Sequence, residues 1–166
     1  MSQNLKEKVL SSEAQAAGLG RRSASSRPAN PADFDQRIRT ALQAAAEKKA
    51  IDLTVLDLRG VATFTDFFIV STGANKRQMQ AISDEVVDQL KRRGSPAARV
   101  EGYQAAEWIL IDYGDFIVHV FDAKARRFYD LEYLWREAKR LDVSPGGLDS
   151  QISSARSEDV SSLKED

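Results

Sequence analysis

The chain has no cysteine. Disulfides, thiolate nucleophiles and cysteine-ligated zinc are excluded, and the absence accords with a reducing compartment. A single histidine rules out any multi-histidine metal centre. No apolar run approaches the ~20 residues that span a bilayer, and the first eight residues lack the apolar core of a secretion signal. The formal net charge of −1 favours neither sign, so bulk charge supports neither a nucleic-acid coat nor a polyanion mimic, and an electrostatic argument has to be local. The hydrophobic share, 42%, is slightly low for a compact globule and the charged share, 30%, slightly high. One domain of ordinary size carrying tails is expected.

Composition places those tails. Residues 1–32 contain Gly18, Gly20, Pro28, Pro31 and the serines at 23–26, too little apolar material to offset the cost of ordering a chain. They are read as a disordered N-terminal arm. Residues 144–166, opening Ser144-Pro145-Gly146-Gly147, are read as a disordered C-terminal tail, leaving 33–143 as the folded domain. Within 1–32 there are five basic and two acidic residues, a composition that keeps an organelle transit segment open beside the first expectation, the cytoplasm.

The central stretch alternates helix and strand patterns. Asp33 or Asp35 can cap a helix carrying Phe34, Ile38, Leu42 and Ala45 on one face. Strands are expected at Leu53–Leu58, Asp66–Ser71 and Ala98–Glu101. Asn75 can cap a helix with Met79, Ile82, Val86 and Leu90 together, stopped by Gly94. Trp108–Tyr113 and Phe116–Asp122 read as a hairpin around Gly114-Asp115, pairing Leu110 with His119 and Trp108 with Phe121. A last helix is expected after Asp130, with Leu131, Leu134, Trp135, Ala138 and Leu141 as its stripe. The order predicts an α/β fold, a mixed sheet flanked by helices in one compact domain.

Catalytic signatures are scarce. Gly18-Leu19-Gly20 lacks the third glycine and the preceding strand of a dinucleotide loop. Ser71-Thr72-Gly73 lies between a strand and a helix, where phosphate can be cradled, but the paired carboxylates of a two-metal nucleotidyl-transfer site do not follow it. No catalytic residue, metal ligand or cofactor site is assigned, and the protein is not expected to be an enzyme or to take a small-molecule substrate.

What stands out is residues 101–135. Both tryptophans and the only histidine lie there, and from Glu101 to Ala123 there are five acidic residues with no Lys or Arg. Aromatic anchors beside acids suit a surface that grips a partner. Each member also has a plainer reading. Asp112 and Asp115 can solvate a turn, His119 can be a satisfied strand residue, Trp108 and Trp135 can be core, and Tyr129-Asp130 can be a helix start.

The run Asp66-Phe67-Phe68-Ile69-Val70, with Ser71-Thr72-Gly73, Gln78, Glu101-Gly102, Trp108, Asp112-Tyr113-Gly114-Asp115, Val118-His119-Val120-Phe121, Arg126, Tyr129-Asp130-Leu131-Glu132 and Leu134-Trp135, resembles the ribosomal silencing factor family (RsfS, or Iojap) over about residues 34–140. The resemblance implies a nucleotidyltransferase-like shape without the catalytic carboxylates. It implies a translational repressor that binds the large ribosomal subunit through the ribosomal protein L-fourteen and blocks subunit joining; organelle members serve assembly, and homodimers occur. Carried over residue by residue, the partner-binding set is Trp108, Asp112, Gly114, Asp115, His119, Tyr129, Leu131 and Glu132, with Glu101 and Trp135 beside them. Phe67 stands where tyrosine is frequent, and Arg127 where an acid is common. Two rivals stay open: a nucleotidyltransferase-like enzyme using Ser71, Thr72 and Gly73, and an RNA-binding module using Lys76, Arg77 and Lys91–Arg93.

Overall fold

The structure, a computed structural model, describes residues 5–11 and 34–143. Its elements are α1 (Leu5–Leu10), α2 (Gln36–Glu47), β1 (Ile51–Asp57), β2 (Phe67–Thr72), α3 (Lys76–Arg92), β3 (Arg99–Glu101), β4 (Trp108–Asp112), β5 (Phe116–Phe121), α4 (Ala123–Tyr129), the single turn α5 (Leu131–Leu134) and β6 (Lys139–Asp142). The six strands form one mixed sheet in the order β3-β4-β5-β2-β1-β6. Only β2 and β5 run parallel, from Phe67 beside Phe116 to Thr72 beside Phe121. Both are buried along their whole length, as strands covered on two faces must be.

Alternation along the strands sorts side chains into two cores. Val55, Phe67, Ile69, Ile109, Ile111, Phe116, Val118 and Val120 point to one face, where Ile38 and Leu42 of α2 and Met79, Ile82, Val86 and Leu90 of α3 cover them. Leu56, Phe68, Val70, Trp108, Leu110, Ile117 and Phe121 point to the other, against Ala125, Leu131, Trp135 and Val9 of α1. The helices on the first face begin as their sequences require. Asp35 accepts from the backbone N–H of Arg37 and Ile38, and Asn75 from that of Gln78 at 2.8 Å. The Gln78 side-chain amide donates to the carbonyls of Lys48 and Lys49 at 3.1 and 3.0 Å, tying the end of α2 to the start of α3. Gly94, with φ +86°, follows the end of α3.

Two expectations are corrected. The long final helix is absent: Asp130, in left-handed conformation with φ 45°, ends α4 and starts α5, and the chain then becomes β6, antiparallel to β1 with Leu141 beside Val55. The expected stripe could not have held together, because Trp135 and Ala138 pack on one face of the sheet and Leu141 on the other. β6 pairs the free edge of β1, an outcome set by tertiary hydrogen bonding and not by local preference. The helix that does form, α4, is capped by Asp122, which accepts from Ala125 N at 2.6 Å. The second correction concerns the N-terminus. Residues 5–11 belong to the fold, with Val9 fully buried, whereas the rest of the expected arm and the tail from Ser144 lie outside the described residues.

Candidate partner-binding site

The β4–β5 hairpin has the expected register, Trp108 beside Phe121 and Leu110 beside His119. Its turn is shaped by Gly114 at φ +85° and by Asp112, whose carboxylate accepts from Gly114 N at 2.8 Å. A strand of this length sets its two ends on the order of 13 Å apart. The acids of the turn therefore do not surround Trp108. Asp115 is ion-paired with Arg37, and Asp112 lies 4.0 Å from Arg99.

At the other end Trp108 is only 4% exposed. Its indole Nε1 donates to His119 Nδ1 at 3.0 Å, and its ring lies 4.7 Å from Tyr129 and 5.2 Å from Phe121. His119 is wholly buried, edge-on to Phe68 at 4.6 Å. Burial first, then the cations Lys6 and Arg126, push its pKa down to about 3. With Nδ1 accepting, the neutral ring carries its proton on Nε2, which has no partner among the described residues. A ring locked neutral and away from solvent cannot act as a proton carrier at pH 7. Leu131 and Trp135 are each 1% exposed. Four members of the sequence-chosen set, Trp108, His119, Leu131 and Trp135, are thus core on this face and not free surface. The plain alternation of the strands could not show that something lies over them.

The accessible members are Gly114, which is exposed, and Tyr129, Asp115, Asp112 and Glu101, which are half-buried. Glu132 is held inward: its carboxylate accepts from Arg126 Nε at 2.7 Å, while Arg126 also donates to Thr72 Oγ1 at 3.1 Å. That network fixes α4 and α5 against the ends of the central strands. Two residues missed by sequence reasoning join the corner. Phe128 is 77% exposed and Tyr133 65% exposed, and Phe128 stands edge-on to Tyr129 at 5.0 Å. Their signal was composition: aromatics flanking Tyr129-Asp130 off the apolar stripe.

The residues of the catalytic rival have structural partners. Ser71 Oγ donates to the backbone carbonyl of His119 at 3.3 Å, not to the imidazole. At Gly73 an added Cβ would meet Met79 at 2.6 Å, so the glycine serves packing between β2 and α3. Among the described residues no group of three or more His, Cys, Asp or Glu is placed to hold a metal, and no helix is long and apolar enough to cross a membrane. An open cleft of about 910 Å³ is lined by Lys49, Asp52, Thr54, Arg126, Arg140 and Asp142 among others; none of the sequence-chosen residues lines it, and Arg126 and Arg140 are already paired to Glu132 and Asp142.

The family model described as "Ribosomal silencing factor during starvation" matches residues 31–166. The chain belongs to the ribosomal silencing factor family. It is 37% identical over 109 residues to the ribosomal silencing factor RsfS of Bacillus subtilis strain 168, covering 66% of this chain and 92% of that one. It is 29% identical to the mouse protein named "Mitochondrial assembly of ribosomal large subunit protein 1", over 54% of this chain and 40% of that one. A crystal structure of a Chromobacterium violaceum protein superposes with a TM-score of 0.60 at 34% identity, covering 61% of this chain and 84% of the other. The mixed sheet with flanking helices is thus the RsfS fold, and membership places the protein among ribosome-associated regulators.

Proposed function

We propose that the protein is a translational repressor acting in the cytoplasm. It binds the large ribosomal subunit through the ribosomal protein L-fourteen and obstructs the small subunit by occupying the joining face. Family membership carries this reading, and the mouse relative's name points to the same subunit. The contact is made by the α4–α5 corner, with Tyr129, Phe128 and Tyr133 supplying apolar area that is desolvated on docking. Asp112, Asp115 and Glu101 along the hairpin and β3 complement a basic ribosomal protein and steer the encounter, with Gly114 shaping the turn that carries the two aspartates. Glu132 positions the corner through Arg126. Trp108, His119, Leu131 and Trp135 form the floor beneath it. Obstruction is stoichiometric, and no bond is made or broken.

Sucrose-gradient sedimentation of mixed subunits with the purified chain tests this. Co-migration with large subunits and loss of joined particles at one protein per subunit are expected. Phe128→Ala with Tyr129→Ala weakens both effects while the fold persists. Full subunit joining at saturating protein overturns the proposal.

A further inference from the structure

The apolar floor described above is closed by the chain's own N-terminus, and residues 5–11 lie outside the span matched to the family. α1 is six residues long, too short to hold helical form alone in water. Its shape depends on the seat it occupies. Val9 is fully buried in the cluster that contains Trp108, Leu131 and Trp135, and Leu5 and Leu10 pack at its edge. The Trp135 indole Nε1 donates to the Val9 carbonyl at 2.9 Å. The Lys6 ammonium donates to the Trp108 carbonyl at 2.8 Å and lies 4.8 Å from the centre of the Trp108 ring.

The seat has a definite chemistry apart from its occupant. It offers one buried donor (the Trp135 N–H), one backbone acceptor (the Trp108 carbonyl), an aromatic face and an apolar floor. Burial pushes the Lys6 ammonium below its ordinary pKa, and Glu101 and Glu107 partly offset that by favouring the charged form. Glu101 Oε2 is itself buried without a hydrogen-bond partner among the described residues. Gly102 keeps the notch open: a Cβ there would fall 2.2 Å from the Trp108 carbonyl oxygen and 2.8 Å from Lys6 Nζ. The matching ligand is a helical turn with lysine and a small aliphatic residue at i and i+3, positions that share a helix face, as Lys6 and Val9 do.

We propose that this seat is a recognition site for a lysine-bearing amphipathic turn of a basic large-subunit ribosomal protein, and that α1 fills it in cis as a competitor. The partner's identity rests on the proposed function; the seat and its internal occupant do not. Release of α1 uncovers Trp108 beside Tyr129 and joins the buried floor to the exposed aromatic corner. The apparent affinity of the chain is that of its open form multiplied by the fraction of molecules in which the seat is open.

The test uses the full chain carrying Lys6→Glu with Val9→Asp, and separately Lys6→Ala, which removes the ammonium with little apolar loss. Both tryptophans line the seat, so release of α1 is read as a red shift of their emission. A synthetic peptide of residues 1–11 should reverse the shift in the double variant, and the same peptide bearing Val9→Asp should not. In sedimentation the double variant should bind large subunits on the order of ten-fold more tightly, as expected where the seat is open about a tenth of the time. Lys6→Ala should show a smaller gain in the same direction, and wild-type peptide should compete with the subunit. No emission shift, or no rescue by the peptide, overturns the seat. A shift with unchanged or weaker subunit binding overturns the competition. If neither chain binds subunits yet the peptide rescues, the ribosomal partner fails and the recognition seat stands. A wild-type dimer dissolved by Val9→Asp overturns the cis assignment by showing α1 exchanged between copies.

Discussion

The two faces of the sheet are covered by different kinds of structure. On one, two helices of 12 and 17 residues, each with a side-chain cap at its start, lay apolar stripes across the strands. On the other, the cover is assembled from a seven-residue helix, a single turn and the six-residue α1. Long helices hold themselves together in part, whereas pieces this short exist only through their contacts. The first face is therefore a permanent wall, and the second is one whose parts open separately at lower cost. It is on this second face that Trp108 lies against Tyr129.

The largest expected effects test whether both walls belong to one cooperative core. Phe68 is fully buried on the second face and contacts the rings of Phe64, His119 and Trp135. Phe68→Ala should cost about 4 kcal/mol, and Leu90→Ala, on the first face, about 3 kcal/mol. Val9 is as buried as either, yet Val9→Ala should lower the global stability read from urea unfolding by less than about 1 kcal/mol, because α1 leaves before the sheet unfolds. Equal losses at Val9 and Leu90 would break the comparison.

The first face was readable in the amino-acid order because its signals are local. Asp35 and Asn75 precede stripes of helical period, and Gly94 ends the second. The hairpin register was readable for the same reason, since Gly114-Asp115 fixes the turn and every second residue then falls on one side. The second face was not. A six-residue segment such as Leu5–Leu10 is too short to display a period, and its place is set by Trp108 and Trp135, more than ninety residues away. The stretch after Asp130 misled for a related reason. Leu131 to Leu141 fits a helical stripe, but β1 offered a strand edge, and pairing it moved Leu141 to the opposite side. Burial of Trp108, His119, Leu131 and Trp135 was the least legible feature, because alternation tells which side chains share a face and not what lies over that face.

A second test concerns pH, and it sharpens the contrast because the buried titrating ring belongs to the second face alone. His119 has a folded pKa of about 3 against an ordinary value of 6.5. Above pH 6.5 both folded and unfolded states hold it neutral, and it contributes no pH dependence. Between about 6.5 and 3 the unfolded chain binds a proton that the folded one refuses, so stability falls as pH falls. Lys6 and Arg126 add to that refusal. Urea midpoints from pH 7 to pH 4 should decline with one proton's slope beyond the carboxylate contribution. His119→Gln, compared over the same range, should flatten the decline; an unchanged slope would show that the ring is protonated in the fold.

Smaller effects are expected from the caps, and they too separate the faces. Asn75→Ala removes the acceptor for Gln78 N at the head of α3 and should lower global stability by about 1 kcal/mol. Asp122→Ala removes the equivalent group from α4 and, by the same capping scale, loosens that helix by about 1 kcal/mol. Because α4 is short, the loss should appear first as faster hydrogen exchange at Arg126 and Tyr129, with the global midpoint moving less. Proteolysis or exchange that reports identical behaviour for the two variants would argue that the second face is as firmly built as the first.

The smallest effect sits where the faces meet, at the hairpin tip. Arg37 pairs with both Asp35 and Asp115, and all three side chains are more than a third exposed. Such pairs contribute under about 1 kcal/mol and are weakened by salt, so Arg37→Ala should barely move the urea midpoint. Its consequence for binding should be larger than for folding. In the isolated chain Asp115 is neutralised by an internal guanidinium, and a basic partner must displace that guanidinium to use the carboxylate. Arg37→Ala frees Asp115 and should tighten large-subunit binding at low salt, an advantage that fades as salt rises. Asp115→Asn should weaken binding while leaving stability nearly unchanged. Should Arg37→Ala and Asp115→Asn both leave binding untouched across salt concentrations, the tip plays no part in docking and the contact is confined to the aromatic corner at the other end of the hairpin.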